Sequence, residues 1–173
     1  MIVRACFVSI TRYKSMKKTI FAAIFLSASM QVVADCALNP EVRQDNIAET
    51  ICDSEWLDEV RPPSSYTNAI KRTLVKRLGL PPTREVLKQF ELDHKCPLSS
   101  GGHPYSEENL ALQEWKGPLG AYAKDGVERK VARRVCAGEM TLDEAQTIFL
   151  TDEWKNMVKG AVSSNLSNQE EVQ

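Results

Sequence analysis

The twenty residues from Glu91 to Leu110 interrupt a chain that otherwise reads as helices. They follow an alternation in which Phe90, Leu92 and His94 are set against Glu91 and Asp93, the period of two of a short strand. Pro97 and the pair Gly101-Gly102 then supply turn chemistry, and Ser106-Glu107-Glu108-Asn109-Leu110 offers a serine cap with early acids, the start of a short helical turn. The run is a small two-strand element leading into a loop and a helix. A hairpin alone is marginal in water, so the rest of the chain must brace it.

The flanking sequence supplies the braces. Asn39 before Pro40 resembles a cap followed by a first-turn proline, with Val42, Ile47, Ile51 and Cys52 apolar beyond it. Arg61-Pro62-Pro63-Ser64-Ser65 reads as a turn, with Ser64 or Ser65 capping the next helix. There Tyr66, Ile70, Leu74 and Leu78 recur every fourth residue, until Gly79 and Pro81-Pro82 stop the pattern. Thr83 to Phe90 forms a short helix or leads into the first strand. After a loop at Gly117-Pro118-Leu119-Gly120, Ala123, Val127, Val131 and Val135 make a second stripe that ends at Cys136-Ala137-Gly138. Thr141-Leu142-Asp143-Glu144 is a capping box, and a last helix carries Leu142, Ala145, Ile148, Phe149, Trp154 and Val158, with Trp154 in the core. The expected fold class is mainly α with a small β-hairpin.

At 173 residues the chain accommodates one domain and a leader. Met16-Lys17-Lys18, the apolar run Thr19 to Val33 and the ending Val32-Val33-Ala34 have the three parts of a secretory signal peptide, too short for a membrane span. Residues 1–34 are therefore read as the signal peptide, with Met16 as a second possible start. A single domain over 35–162 and a flexible polar tail over 163–173 follow. The expected location is the periplasm or exterior of a bacterium, without stable membrane insertion after cleavage. Beyond residue 34 the chain keeps 17 Lys and Arg against 23 Asp and Glu, a net charge near −6. Such a balance disfavours a general nucleic-acid binder, and contact with phosphates would need a local basic face.

Cys36, Cys52, Cys96 and Cys136 remain after the leader, an even set that in an exported chain implies two disulfides in one of three pairings. They are scattered without the CxxC spacing of a zinc site. A thiol nucleophile at Cys96 beside His94 is disfavoured by the even count.

Asp93-His94 carries the chemistry. Asp93 is a hard oxygen donor suited to a divalent cation, and His94 titrates near neutrality and so can take a proton from an attacking water. Adjacent strand residues point to opposite sides, so serving one phosphate requires a distorted strand or a site at its edge. Asn109 is a clamp for the loop that carries His94. His103, between Gly102 and Pro104, reads as a surface-loop residue. Arg129, Lys130, Arg133 and Arg134 flank the second stripe and form the best local phosphate-binding face, with an ordinary solvated helix face as the alternative.

The run ELDHKCPLSSGGHPYSEENLAL resembles the core of the HNH nuclease family, whose ββα-metal unit carries an Asp-His pair, a Gly-Gly turn and an Asn-Leu. Arg61-Pro62-Pro63, Tyr66, Lys71, Lys124-Asp125, Glu128, Val135-Cys136-Ala137-Gly138 and Ala145-Gln146 resemble features of small exported bacterial proteins with this core. The resemblance implies a ββα-metal core braced by helices and a metal-dependent endonuclease acting on DNA or RNA, or a catalytically inactive binding or structural envelope protein on the same fold. It implies His94 as general base, Asn109 as the residue orienting it, and Asp93 as a ligand to Mg2+, Mn2+, Ni2+ or Zn2+. The family's third metal position has no clear match around Gly120; Gln113, Glu114, Asp125 and Glu128 are the candidate substitutes, with Asp125 or Glu128 on the next helix the expected one. Cys52 and Cys136 fall within the resembling regions while Cys36 and Cys96 look like additions, which implies the pairs Cys52–Cys136 and Cys36–Cys96. Protein partners are not indicated.

Overall fold

The structure, a computed structural model, describes residues 36–160. The leader and the tail over 163–173 lie outside the described residues. The chain is mostly helical with one small antiparallel sheet. A 3₁₀ turn at Gln44–Glu49 precedes α1 (Ser54–Val60), α2 (Ser64–Arg77) and α3 (Arg84–Leu87). Strands β1 (Phe90–His94) and β2 (Leu110–Glu114) follow, then α4 (Ala121–Cys136) and α5 (Leu142–Leu150). None of the described helices is long and apolar enough to cross a membrane.

The two strands pair in register, Phe90 opposite Glu114 and His94 opposite Leu110. The second strand therefore starts at the Asn109-Leu110 step, and the Gly-Gly turn lies inside a long connection rather than at a hairpin tip. Leu98–Ser100 and Glu107–Asn109 are 3₁₀ turns within that connection. The cap expected from Ser106 makes no side-chain hydrogen bond. α3 fills the Thr83-to-Phe90 segment, with the Thr83 hydroxyl accepting from the Val86 N–H.

Some expectations for the helices change. Pro63, not Ser64 or Ser65, is the residue before α2, so Ser64 already lies in the first turn. Leu78, expected on the buried stripe of α2, is 59% exposed, while Val75 is fully buried. The helix ends at Arg77, and Leu78 in its cap has turned off the packed face. The last helix is broken. α5 stops at Leu150, Asp152 takes a left-handed conformation (φ 61°), and helix resumes over residues 154–160. The Asp152 carboxylate accepts from the Trp154 indole N–H at 3.2 Å, which fixes the bend and leaves Trp154 in the core. The Thr141–Glu144 capping box forms, with the Thr141 N–H donating to Oε2 of Glu144 and the Glu144 N–H to the Thr141 hydroxyl.

The core gathers Val127, Val131 and Val135 of α4, Ala145 and Phe149 of α5, Trp154, and Val42 and Ile51 from the N-terminal segment. Cys36 is bonded to Cys96, and Cys52 to Cys136, with Cα–Cα distances of 5.8 and 5.6 Å. The second bridge ties the N-terminal turn to the end of α4. The first brings the N-terminal segment onto the loop after β1, where Asn39 N–H donates to the Gly101 carbonyl and His103 N–H to that of Ala37. All four cysteines are thereby consumed, which removes the zinc alternative.

Candidate functional site

Asp93 and His94 end the first strand, and the connection after them is held by a fully buried side chain. Asn109 is 0% exposed. Its Oδ1 accepts from the Cys96 N–H at 2.8 Å, and its Nδ2 donates to the carbonyls of Cys96 and His103 at 3.0 and 2.9 Å. One amide therefore closes the loop from Cys96 to His103 on itself. Only an amide offers an acceptor and two donors in this arrangement. Gly102 lies against the same place: a Cβ there would collide with the Cys96 carbonyl and crowd Nδ2 of Asn109. Gly101 takes φ +77°, a conformation side chains resist. The Gly-Gly pair thus lets the loop turn and close onto Asn109.

His94 is largely buried, and its Nε2 lies 2.9 Å from the Pro104 carbonyl oxygen. A carbonyl only accepts, so Nε2 carries the proton and Nδ1 is left with a lone pair. Burial lowers the His94 pKa below its ordinary 6.5, against the opposing pull of the Pro104 hydrogen bond and of Asp93. Burial thus favours the neutral ring. His103 has no such setting: its Nδ1 accepts from the backbone N–H groups of Tyr105 and Ser106, a loop role.

His94 and Asp93 share two adjoining clefts, of about 300 and 240 Å³. The strand-end position lets both reach the same spaces although they alternate along β1. Glu91 and Arg61 line both clefts as well. Lys71 from α2 enters the first, and Asp125, Glu128 and Arg129 from α4 enter the second. Glu91 is not among the expected site residues, yet its carboxyl is strongly perturbed. Burial, then the neighbouring Asp93, Asp125 and Glu128, raise its pKa to about 7, and its Oε2 is buried without a hydrogen-bond partner. The period of two already placed Glu91 on the face of Asp93, which was the available signal. Arg61 closes α1 and is exposed.

The centre of the site is Lys124. Its Nζ donates to Asp93 Oδ2 at 2.6 Å, to the His94 carbonyl at 2.7 Å and to Glu128 Oε1 at 2.7 Å. The side chain is 3% exposed. Nζ also lies 5.8 Å from the Phe149 ring centre and 6.0 Å from that of Trp154. Burial alone would lower its pKa, but the Glu128 and Asp93 carboxylates more than compensate and hold it above 10.5. Lys124 lies seven residues, two helical turns, before Val131, so the stripe of α4 placed it on the core face.

The expected metal ligands are thus brought together only in part. All three line the second cleft, but only Asp93 and Glu128 meet at Lys124, while Asp125 lies 3.9 Å from Arg129. A divalent ion on Asp93, Asp125 and Glu128 would have to share them with the Lys124 ammonium, which already takes one oxygen of Asp93 and one of Glu128. Among the described residues no group of three or more His, Cys, Asp and Glu is arranged to hold a metal ion. Of the expected phosphate-binding face, Arg129 reaches the second cleft, while Lys130, Arg133 and Arg134 lie exposed along α4 away from its lining.

In comparisons with protein-family models, curated proteins and solved structures, nothing matches the chain.

Proposed function

We propose that the chain is an exported phosphodiesterase of the HNH type, cleaving DNA or RNA with His94 as general base. The observation that carries this reading is the His94 imidazole, whose Nε2–H is committed to Pro104 and whose Nδ1 has no hydrogen-bond partner among the described residues, in a ring lining two clefts. Nδ1 takes the proton of a water whose oxygen attacks phosphorus as the ester P–O bond to the departing sugar oxygen breaks, and that oxygen leaves as a hydroxyl after taking a proton from solvent. Arg61 lines both clefts beside His94, and its guanidinium suits the non-bridging oxygens of a phosphodiester. Further support comes from the order of a strand with Asp-His, a Gly-Gly loop clamped by asparagine, a second strand and a helix, which is similar to the HNH core. Export is supported by the leader pattern and the two disulfides.

A second reading keeps the fold as a binding module without catalysis. It is favoured by the four carboxylates of Glu91, Asp93, Asp125 and Glu128 in the second cleft, which oppose a phosphate anion. The test is cleavage of plasmid DNA and of RNA by the disulfide-bonded protein, comparing wild type with His94→Ala, in EDTA and with added Mg2+, Mn2+, Ni2+ or Zn2+. The expected result is cleavage that His94→Ala reduces at least 100-fold. Equal rates in the two proteins would sink the nuclease reading.

A further inference from the structure

We infer that the Lys124 ammonium is the built-in cation of this site, occupying the oxygen nest between β1 and α4 that a divalent ion would otherwise take. The nest consists of a strand carboxylate (Asp93), a strand carbonyl (His94) and a helix carboxylate (Glu128), all hard oxygen donors of the kind that bind Mg2+ or Mn2+. An ammonium has three N–H donors and no acceptor, and here each donor has one oxygen at 2.6–2.7 Å. Its hydrogen-bonding capacity is filled, so Lys124 does not reach out to a substrate. It acts as a positioning residue that ties the His94 backbone and Asp93 to α4.

Behind the nest lies a further cleft of about 390 Å³, which Asp93, Lys124, Phe149 and Trp154 help to line. The aromatic rings of Phe149 and Trp154 stand near Nζ, and the side chain is almost wholly enclosed. An ammonium withdrawn from its carboxylates into that apolar surround would be costly, so it does not readily make way. A divalent ion placed on the same oxygens would face a like charge at close range. Removing the charge while keeping the stem should therefore turn the nest into a cation site.

This assignment rests on the proposed reading only for the location of the site, and metal affinity is read without substrate. A failure here is thus separable from a failure of the nuclease reading. The experiment is titration with Mn2+, followed by electron paramagnetic resonance or calorimetry, of wild type, Lys124→Met and Lys124→Met/Asp93→Asn, each checked for folding by circular dichroism. Wild type is expected to show no binding that depends on Asp93. Lys124→Met should bind one Mn2+ at least tenfold more tightly, and the double variant should lose it. A folded Lys124→Met that gains no affinity overturns the assignment. If Lys124→Met does not fold, wild type and Asp93→Asn decide: Mn2+ binding in wild type that Asp93→Asn removes overturns it, and no difference between the two supports it.

Discussion

The Nε2–H of His94 donates to the carbonyl oxygen of Pro104 at 2.9 Å, across a loop of ten residues whose shape Asn109 maintains. His94 and the clamp are therefore one mechanical unit: the loop that orients the imidazole is held shut by a buried amide.

The first consequence concerns pH. Under the nuclease reading the base works when neutral, and burial lowers the His94 pKa below 6.5, so kcat/KM should rise with pH along an acidic limb centred below 6.5. His94→Gln should abolish the limb together with the activity. A limb centred well above 6.5 would assign the base to another group.

Asn109→Ala should cost about 2–4 kcal/mol in urea unfolding, because it strands a buried N–H and two carbonyls whose desolvation is no longer offset. Asn109→Asp should also destabilise, since a carboxylate cannot donate to the Cys96 and His103 carbonyls. A loss under 1 kcal/mol for the alanine variant would show that the loop closes without the clamp.

Glu91 makes stability depend on pH in a direction unusual for a carboxylate. Its folded pKa, about 7, lies above the ordinary 4.5, so the folded state binds the proton more tightly than the unfolded chain. Its contribution is fully present below pH 4.5 and is lost as pH rises through 7. Asp93, Asp125 and Glu128 face it with like charge, and Lys124 and Lys71 oppose them. Wild type should lose roughly 1–2 kcal/mol between pH 5 and 8 relative to Glu91→Gln, a figure reduced for the partial exposure of Glu91. Parallel urea midpoints for the two proteins across that range would refute this.

The local patterns were legible because they depend on neighbouring residues. The alternation Phe90, Leu92, His94 gave β1, the stripe Val127, Val131, Val135 gave the buried face of α4, and Thr141 with Glu144 gave the cap of α5. The mainly helical class with one small sheet followed from them. The break at Asp152 was less visible, because the apolar spacing to Trp154 and Val158 continues across it while a side chain–indole hydrogen bond sets the bend.

The sequence by itself determined the two-strand element, the helices around it and the place of Asp93, His94 and Asn109 at the two ends of one loop. Periodicity, turn residues and side-chain chemistry act over a few residues and leave their mark in order along the chain. Only the tertiary structure decided which groups confront each other. Of the three pairings that the four cysteines allow, it forms the one the resemblance implied, Cys36 with Cys96 and Cys52 with Cys136, across separations of 60 and 84 residues. It also set Lys124, thirty-one residues after Asp93, between the carboxylates read from the sequence as metal ligands. A charge on a buried stripe must find partners, but which oxygens supply them is fixed by the packing of α4 on β1, and that packing is a property of the whole fold.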